Sequence, residues 1–439
     1  MSRIPARATT RFAALSLVTT TLVTATLVTA CGGGGTDGSG GGKTTVSVGL
    51  FGTFGYAEAG LFDEYMKQHP NITIKYSATE KEENYWSALQ TKLAAGGGLA
   101  DVQGFEVGRS VEVTRGAPAK WTDLRTFGAD AVKDSFYPFT WSGGTTADGK
   151  VLGLGTDTGP MAMCYRKDLL AAAGLPTDRT QLAAAWPTWD AYLALGERFT
   201  AKAPKGSAWV DSAGSVYSAS LGQHTDRYYD ASGALVHETS PAVRTSWNLA
   251  MATVGKSLSA RLGQFTPPWN QAFSTGSFAT IACPAWMLGY IKGQAGDKAA
   301  GRWDVAAMPG GGGNWGGSYL GVPASSKHQK EAAELVRWLT APEQQVTLFV
   351  KQGSFPSSPQ AAADPKVASN TNAYFSNAPV GELFAASAKA LGPQTHGLKE
   401  RVVDNAITST GIVQVEQQGR TPEQGWAAAV QAAKKAVGR

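Results

Sequence analysis

From residue 44 onward the apolar positions alternate between two periods. "TTVSVGLFGTF" reads as a buried strand from Val46 to Phe51, because a short continuous apolar run closed by glycine suits a strand covered on both faces. "YAEAGLFDEYMKQHP" shifts to helical spacing, with Leu61, Phe62, Tyr65 and Met66 on one side and Pro70 beyond the end. "NITIKYS" returns to a strand on the alternation of Ile72 and Ile74. "ENYWSALQTKLAAGGG" is a second helix, stopped at Gly96, and "ADVQGFEV" a third strand. This order predicts an open, mostly parallel sheet wrapped by helices. Ligands on such sheets bind beyond the carboxyl ends of the strands, here "FGTFGY" and "QGFEVGR".

Later segments repeat the grammar. "KVLGLGTDTGPMAMCYRKDLL" reads as strand, irregular turn, strand. "PTWDAYLALGERF" reads as a helix that Thr188 caps, and "SFATIACPAW" as a strand ending in Trp286. "WDVAAMPG" and "GSYLGVPA" are short strands flanking a glycine-rich loop that carries Trp315. "KEAAELVRWLT" is an amphipathic helix broken at Pro342, and "TPEQGWAAAVQAAKKAV" a surface helix.

Residues 1–30 carry an export pattern: Arg3, Arg7 and Arg11, then an uncharged run from Phe12 to Ala30 ending in small residues. A membrane span is the alternative, weakened by Thr19, Thr20, Thr21 and Thr24. Cys31 follows directly, and residues 31–43 are a Gly/Ser tract, the composition of a flexible linker. The remaining chain is long enough for two domains. Its 17% charged and 43% hydrophobic residues mark it as globular. The net charge of +5 is spread along the chain, which argues against a nucleic-acid surface.

Reactive constellations are absent. His69, His224, His237, His328 and His396 lack metal-ligand spacing, so no metal and no cofactor is expected. "GLGTDTG" departs from a dinucleotide loop because Gly159 falls one residue late. Glu106 and Asp157 are read as acceptors for ligand hydroxyls, with capping carboxylates as the alternative. A glycosidase would need two such acids facing each other across a sugar. Cys164 and Cys283 either pair, as two cysteines do in an oxidising compartment, or are buried free thiols.

Thirteen tryptophans exceed what a core requires. Trp141, Trp269, Trp286 and Trp315 each stand beside Gly, Pro, Ser or Asn, a placement that suits a cleft wall. Sugar rings offer apolar C–H faces to aromatic rings and a hydroxyl rim to carboxylates and amides, a mixed lining typical of small-molecule pockets. For each tryptophan the alternative is a place in the core.

Several of these segments together resemble the family 1 solute-binding proteins of ABC sugar importers: "LVTAC" as a lipobox, the Gly-rich linker, "SPAVRTSWNLA", "FSTGSFATIACPAW", "YRKDLL" and "WLTAPEQQ". "LFGTFGYAEAGLFDEY", "DVQGFEVGR", "GGNWGGSYL" and "VEQQG" are similar to the actinomycete binding proteins for cellobiose and cello-oligosaccharides. The resemblance implies an α/β, two-lobed fold with several crossover segments and the ligand cleft between lobes. Residues 44–155 plus 305–341 would form one lobe and 156–304 plus 342–439 the other. It implies a lipid on Cys31, anchorage outside the cytoplasmic membrane, a monomer, and permease subunits as partners. Trp286, Trp269, Trp315 and Trp141 are then expected to stack on the sugar, with Phe54 and Tyr56 at the entrance. Gln103, Glu106, Asp157, Asn314 and Ser318 are expected on its hydroxyls, and Arg109 on a strand-end carboxylate or a hydroxyl, with a surface ion pair the alternative for Arg109. The alternatives are xylobiose or maltose as ligand, a secreted glycoside hydrolase, and a cell-wall adhesin.

Overall fold

The computed structural model describes residues 42–438 apart from 391 and 393; the export pattern, Cys31 and the glycine tract as far as residue 41 lie outside the described residues. β1 (Thr44–Phe51) pairs in parallel with β2 (Ile72–Thr79) and β3 (Val102–Glu106). Between them run α1 (Leu61–Gln68) and α2 (Glu82–Ala95). Leu61, Phe62 and Tyr65 bury against Val46, Val48 and Leu50. Gly96 ends α2 at φ 71°, a left-handed cap that glycine adopts without a Cβ clash.

The segment expected as strand, turn and strand is one strand, β4 (Leu154–Arg166). Its register shifts between Gly155 and Asp157 and again between Thr158 and Pro160. The irregular stretch is therefore absorbed as bulges, where Pro160 costs no ladder hydrogen bond.

β4 serves both halves of the molecule. Its first part pairs antiparallel with β8 (Asn314–Gly321), which pairs antiparallel with β3. From Met161 onward it pairs antiparallel with β6 (Phe278–Pro284), and from Met163 with β7 (Trp303–Ala306). β5 (Ala208–Val210) extends β6 in parallel, and β9 (Phe355–Pro356) lies against β4. The sheet is thus mixed rather than mostly parallel, because the chain crosses between halves on β4 and returns on β8 in the opposite sense. β8 begins at Asn314, so Trp315 stands on a strand and not in the loop expected for it.

The apolar residues divide in the same way. One set joins β1, α1 and β3; others gather around β6, around Trp186 and Trp209, and around Trp247. The result is a two-lobed α/β molecule. Cys164 on β4 and Cys283 on β6 form a disulfide, 119 residues apart in sequence.

Candidate functional site

Where the halves meet, register builds a row of polar groups. Glu106 on β3 faces Ser318 on β8, and Ser318 faces Asp157 on β4. Cross-strand partners share a face of the sheet. Acid, hydroxyl and acid therefore line up over about 10 Å, two strand spacings. All three line a cleft of about 620 Å³, a size ordinary for small-molecule sites.

The cleft shifts both acids. Burial pushes the Glu106 carboxyl up to about 7; Arg401 opposes the rise, Glu82 adds to it, and the Gly108 N–H donates to it at 2.8 Å. Burial likewise pushes Asp157 up to about 6, against hydrogen bonds from Thr156 Oγ1 at 2.7 Å and the Ser318 N–H at 3.0 Å. Such groups gain from a ligand that donates hydroxyls to them.

Aromatic rings share the cleft with this row. Trp286 and Trp315 meet edge to face, centroids 6.0 Å apart, and Trp286 Nε1 donates to the Trp315 carbonyl at 3.2 Å. Phe265 lies nearly parallel to Trp286 at 6.4 Å. Phe54 and Phe51 contribute from the end of β1. Glycine makes the approach possible: a Cβ on Gly159 would collide with the Trp315 carbonyl. Gly316 and Gly317 hold φ of 92° and 112°, where L side chains are strained.

Of the expected residues, the structure gathers Phe54, Glu106, Asp157, Trp286, Trp315 and Ser318 in this cleft. Trp269 is fully buried instead, packed on Phe273 at 4.6 Å with Nε1 donating to Asp211 at 2.8 Å. The reason is local: Pro267 starts the helix Pro267–Thr275, so Trp269 falls in its first turn and faces the core. Trp141 packs beside Phe136, outside the cleft. Tyr56 lies in the core between Phe54 and Phe62. Gln103 is buried and accepts from Tyr85 Oη at 2.6 Å. Arg109 is buried in ion pairs with Glu82 and Glu112 rather than held at the surface. Asn314 lines a second cavity of about 390 Å³. Its Oδ1 accepts from the Gly159 N–H at 2.9 Å and its Nδ2 donates to the Gly316 carbonyl at 3.0 Å.

Phe265, Gln264 and Arg401 also line the cleft, and the sequence reading did not find them. Phe265 sits at φ 57°, an uncommon conformation for an aromatic residue. Its signal lay in "GQFTPPW": the prolines that send Trp269 inward leave Phe265 outside the helix. Arg401 comes from a segment without a distinguishing pattern.

Residues 60–374 match the family described as bacterial extracellular solute-binding protein. The chain is 24% identical over 299 residues to an arabinooligosaccharide-binding protein of Bacillus subtilis. That match spans 65% of this chain and 66% of the relative, just under two thirds of its length. A solved extracellular solute-binding protein of family 1 is 40% identical, with 89% of this chain and 99% of the other covered at a TM-score of 0.76. A binding protein from B. animalis subsp. lactis, solved with β-1,6-galactobiose, shares the fold at a TM-score of 0.77 and 19% identity, covering 89% and 96% of the two chains.

Proposed function

The chain belongs to the bacterial extracellular solute-binding proteins, and from that premise we propose that it captures cellobiose or cellotriose for the permease of an ABC importer. Proteins of this family bind solutes outside the cytoplasm and are not enzymes. The observation that carries the proposal is the cleft itself, in which Trp286, Trp315 and Phe265 share one space with the row Glu106–Ser318–Asp157. A β-1,4-linked glucose chain is flat, with hydroxyls around its edge. Rings take its faces, and acids take its rim. The choice of cello-oligosaccharides rests on the segments "DVQGFEVGR" and "GGNWGGSYL", which supply Glu106, Trp315 and Ser318.

Another short oligosaccharide is the second reading, supported by relatives described with arabino-oligosaccharide and β-1,6-galactobiose. Xylobiose and maltose belong to it. Anchorage through a lipid on Cys31, after removal of residues 1–30, completes the proposal. The lobe division at 44–155 plus 305–341 against 156–304 plus 342–439 is also part of it. Pairing of Trp303–Ala306 with the second part of β4 argues for moving the boundary at 305 a few residues later. A calorimetric panel of oligosaccharides tests the reading: cellobiose or cellotriose should bind, and binding of maltose alone would refute the ligand.

A further inference from the structure

Four carboxylates gather where α2 begins and β3 ends: Glu82, Glu83, Glu106 and Glu112. Arg109 is the cation their own half supplies, and it is fully engaged. Its Nε and Nη2 reach Glu82 at 3.0 and 3.3 Å, and its Nη1 reaches Glu112 at 2.9 Å. Among the described residues, Glu83 and Glu106 form ion pairs with Arg401 alone.

Arg401 comes from the other half. It stands on the helix Glu400–Asn405, whose Val403 packs with Tyr217, Trp247 and Ile407. Its Nη2 meets Glu83 at 2.9 Å, its Nη1 meets Asp404 at 3.0 Å, and its Nε stands 3.9 Å from both Glu82 and Glu106. That Nε is buried and has no hydrogen-bond partner.

A second observation is independent of charge. Gly108 lies outside the left-handed region, so its backbone does not require glycine. Its missing side chain is the space the arginine occupies. A Cβ there would sit 2.8 Å from Glu106 Oε2, 2.9 Å from Arg401 Cδ and 3.0 Å from Cγ, so it would press on the arginine stem and on the carboxylate beside it. The first half therefore carries a slot as well as a surplus of negative charge, and both fit the Arg401 side chain.

We infer that Arg401 is a latch across the cleft, which positions Glu106 and biases the halves together before any ligand arrives. The inference rests on the proposed function only in taking a sugar as that ligand. The Arg401–Glu83 pair lies at the rim, with Glu83 44% exposed, so salt screens it and the latch weakens as ionic strength rises. A ligand that needs the closed arrangement binds in proportion to its population.

Small-angle scattering of the purified, unliganded protein tests this. NaCl is raised from about 10 mM to about 1 M, which shortens the screening length from about 30 Å to about 3 Å. The wild type should expand. Arg401→Gln should be expanded at both salt levels, and Arg401→Lys should fall between them. Gly108→Ala keeps every charge but fills the slot, and it should expand as well. Cellotriose affinity should drop about tenfold in Arg401→Gln, within the usual range for coupled sites. Circular dichroism checks folding; if Arg401→Gln does not fold, Arg401→Lys and Gly108→Ala carry the test. Identical, salt-independent scattering of wild type and variants overturns the latch. Lost sugar binding with unchanged scattering also overturns it, by making Arg401 a plain ligand contact. If the shapes respond as expected and no oligosaccharide binds, the latch stands and the sugar assignment falls.

Discussion

Trp286 and Trp269 look alike in sequence and part in the structure. Trp286 is half-buried at the cleft, held by its bond to the Trp315 carbonyl. Losing an aromatic anchor at a binding site costs about 2–4 kcal/mol, so Trp286→Ala should weaken sugar binding by roughly thirty- to a thousandfold. Its melting temperature should stay near wild type. Trp269→Ala should instead lower stability by about 3–5 kcal/mol, leaving Asp211 without its indole donor. Calorimetric titration and melting curves on both variants separate the roles, and reversed outcomes would exchange them. Glu106 and Asp157 give a second expectation. Their folded pKa values are raised, so they hold protons that the unfolded chain releases. That stability is full below the unfolded values near 4 and is lost as pH rises through about 6 for Asp157 and about 7 for Glu106. The melting temperature of the unliganded protein should therefore fall from about pH 5 to about pH 8, and Glu106→Gln should flatten the slope. Sugar hydroxyls favour the ionised acids, so affinity should rise across the same window; an affinity that falls would contradict their role as acceptors.

At the scale of elements, the opening strands and helices were legible because local spacing alone decides them. Leu61, Phe62 and Tyr65 mark α1 whatever the rest of the chain does. Glu106, Asp157 and Ser318 stand out in the sequence as polar candidates, but their alignment depends on register across three strands. "GLGTDTGP" looks like a turn because its glycines and Pro160 favour one; pairing of β4 with β8 on one side and β6 on the other keeps it extended. Trp141 and Arg109 show a different limit: neighbouring residue types did not reveal whether a side chain faces a cleft or a core. The cysteines belong to this scale too, since their bond ties β4 to β6. Closing a loop of 119 residues is worth up to about 5 kcal/mol in the chain-entropy account. Replacing both Cys164 and Cys283 by alanine should lower the denaturation midpoint by a corresponding amount. Alkylation of the unfolded wild type should find no thiol beyond Cys31, and reactive Cys164 and Cys283 would refute the bond.

For the whole molecule, the two-lobed arrangement would let the cleft respond to the proposed ligand. Groups from both halves line it, so a sugar that touches both favours their approach. The proposed lipid on Cys31 would set where this happens. Cys31→Ser should abolish palmitate labelling and stable membrane association, and equal labelling of the variant would end the lipoprotein proposal. We propose above all that the cleft recognises a β-1,4-linked glucose oligosaccharide. A thermal-shift panel of cellobiose, cellotriose, xylobiose, maltose and lactose tests it most directly. At one hundred times Kd a ligand adds about 2.7 kcal/mol of stability, enough to raise the melting temperature visibly. Cellobiose or cellotriose should give the largest rise, with a change in tryptophan fluorescence. A rise with maltose, xylobiose or lactose and none with either cello-oligosaccharide would contradict it.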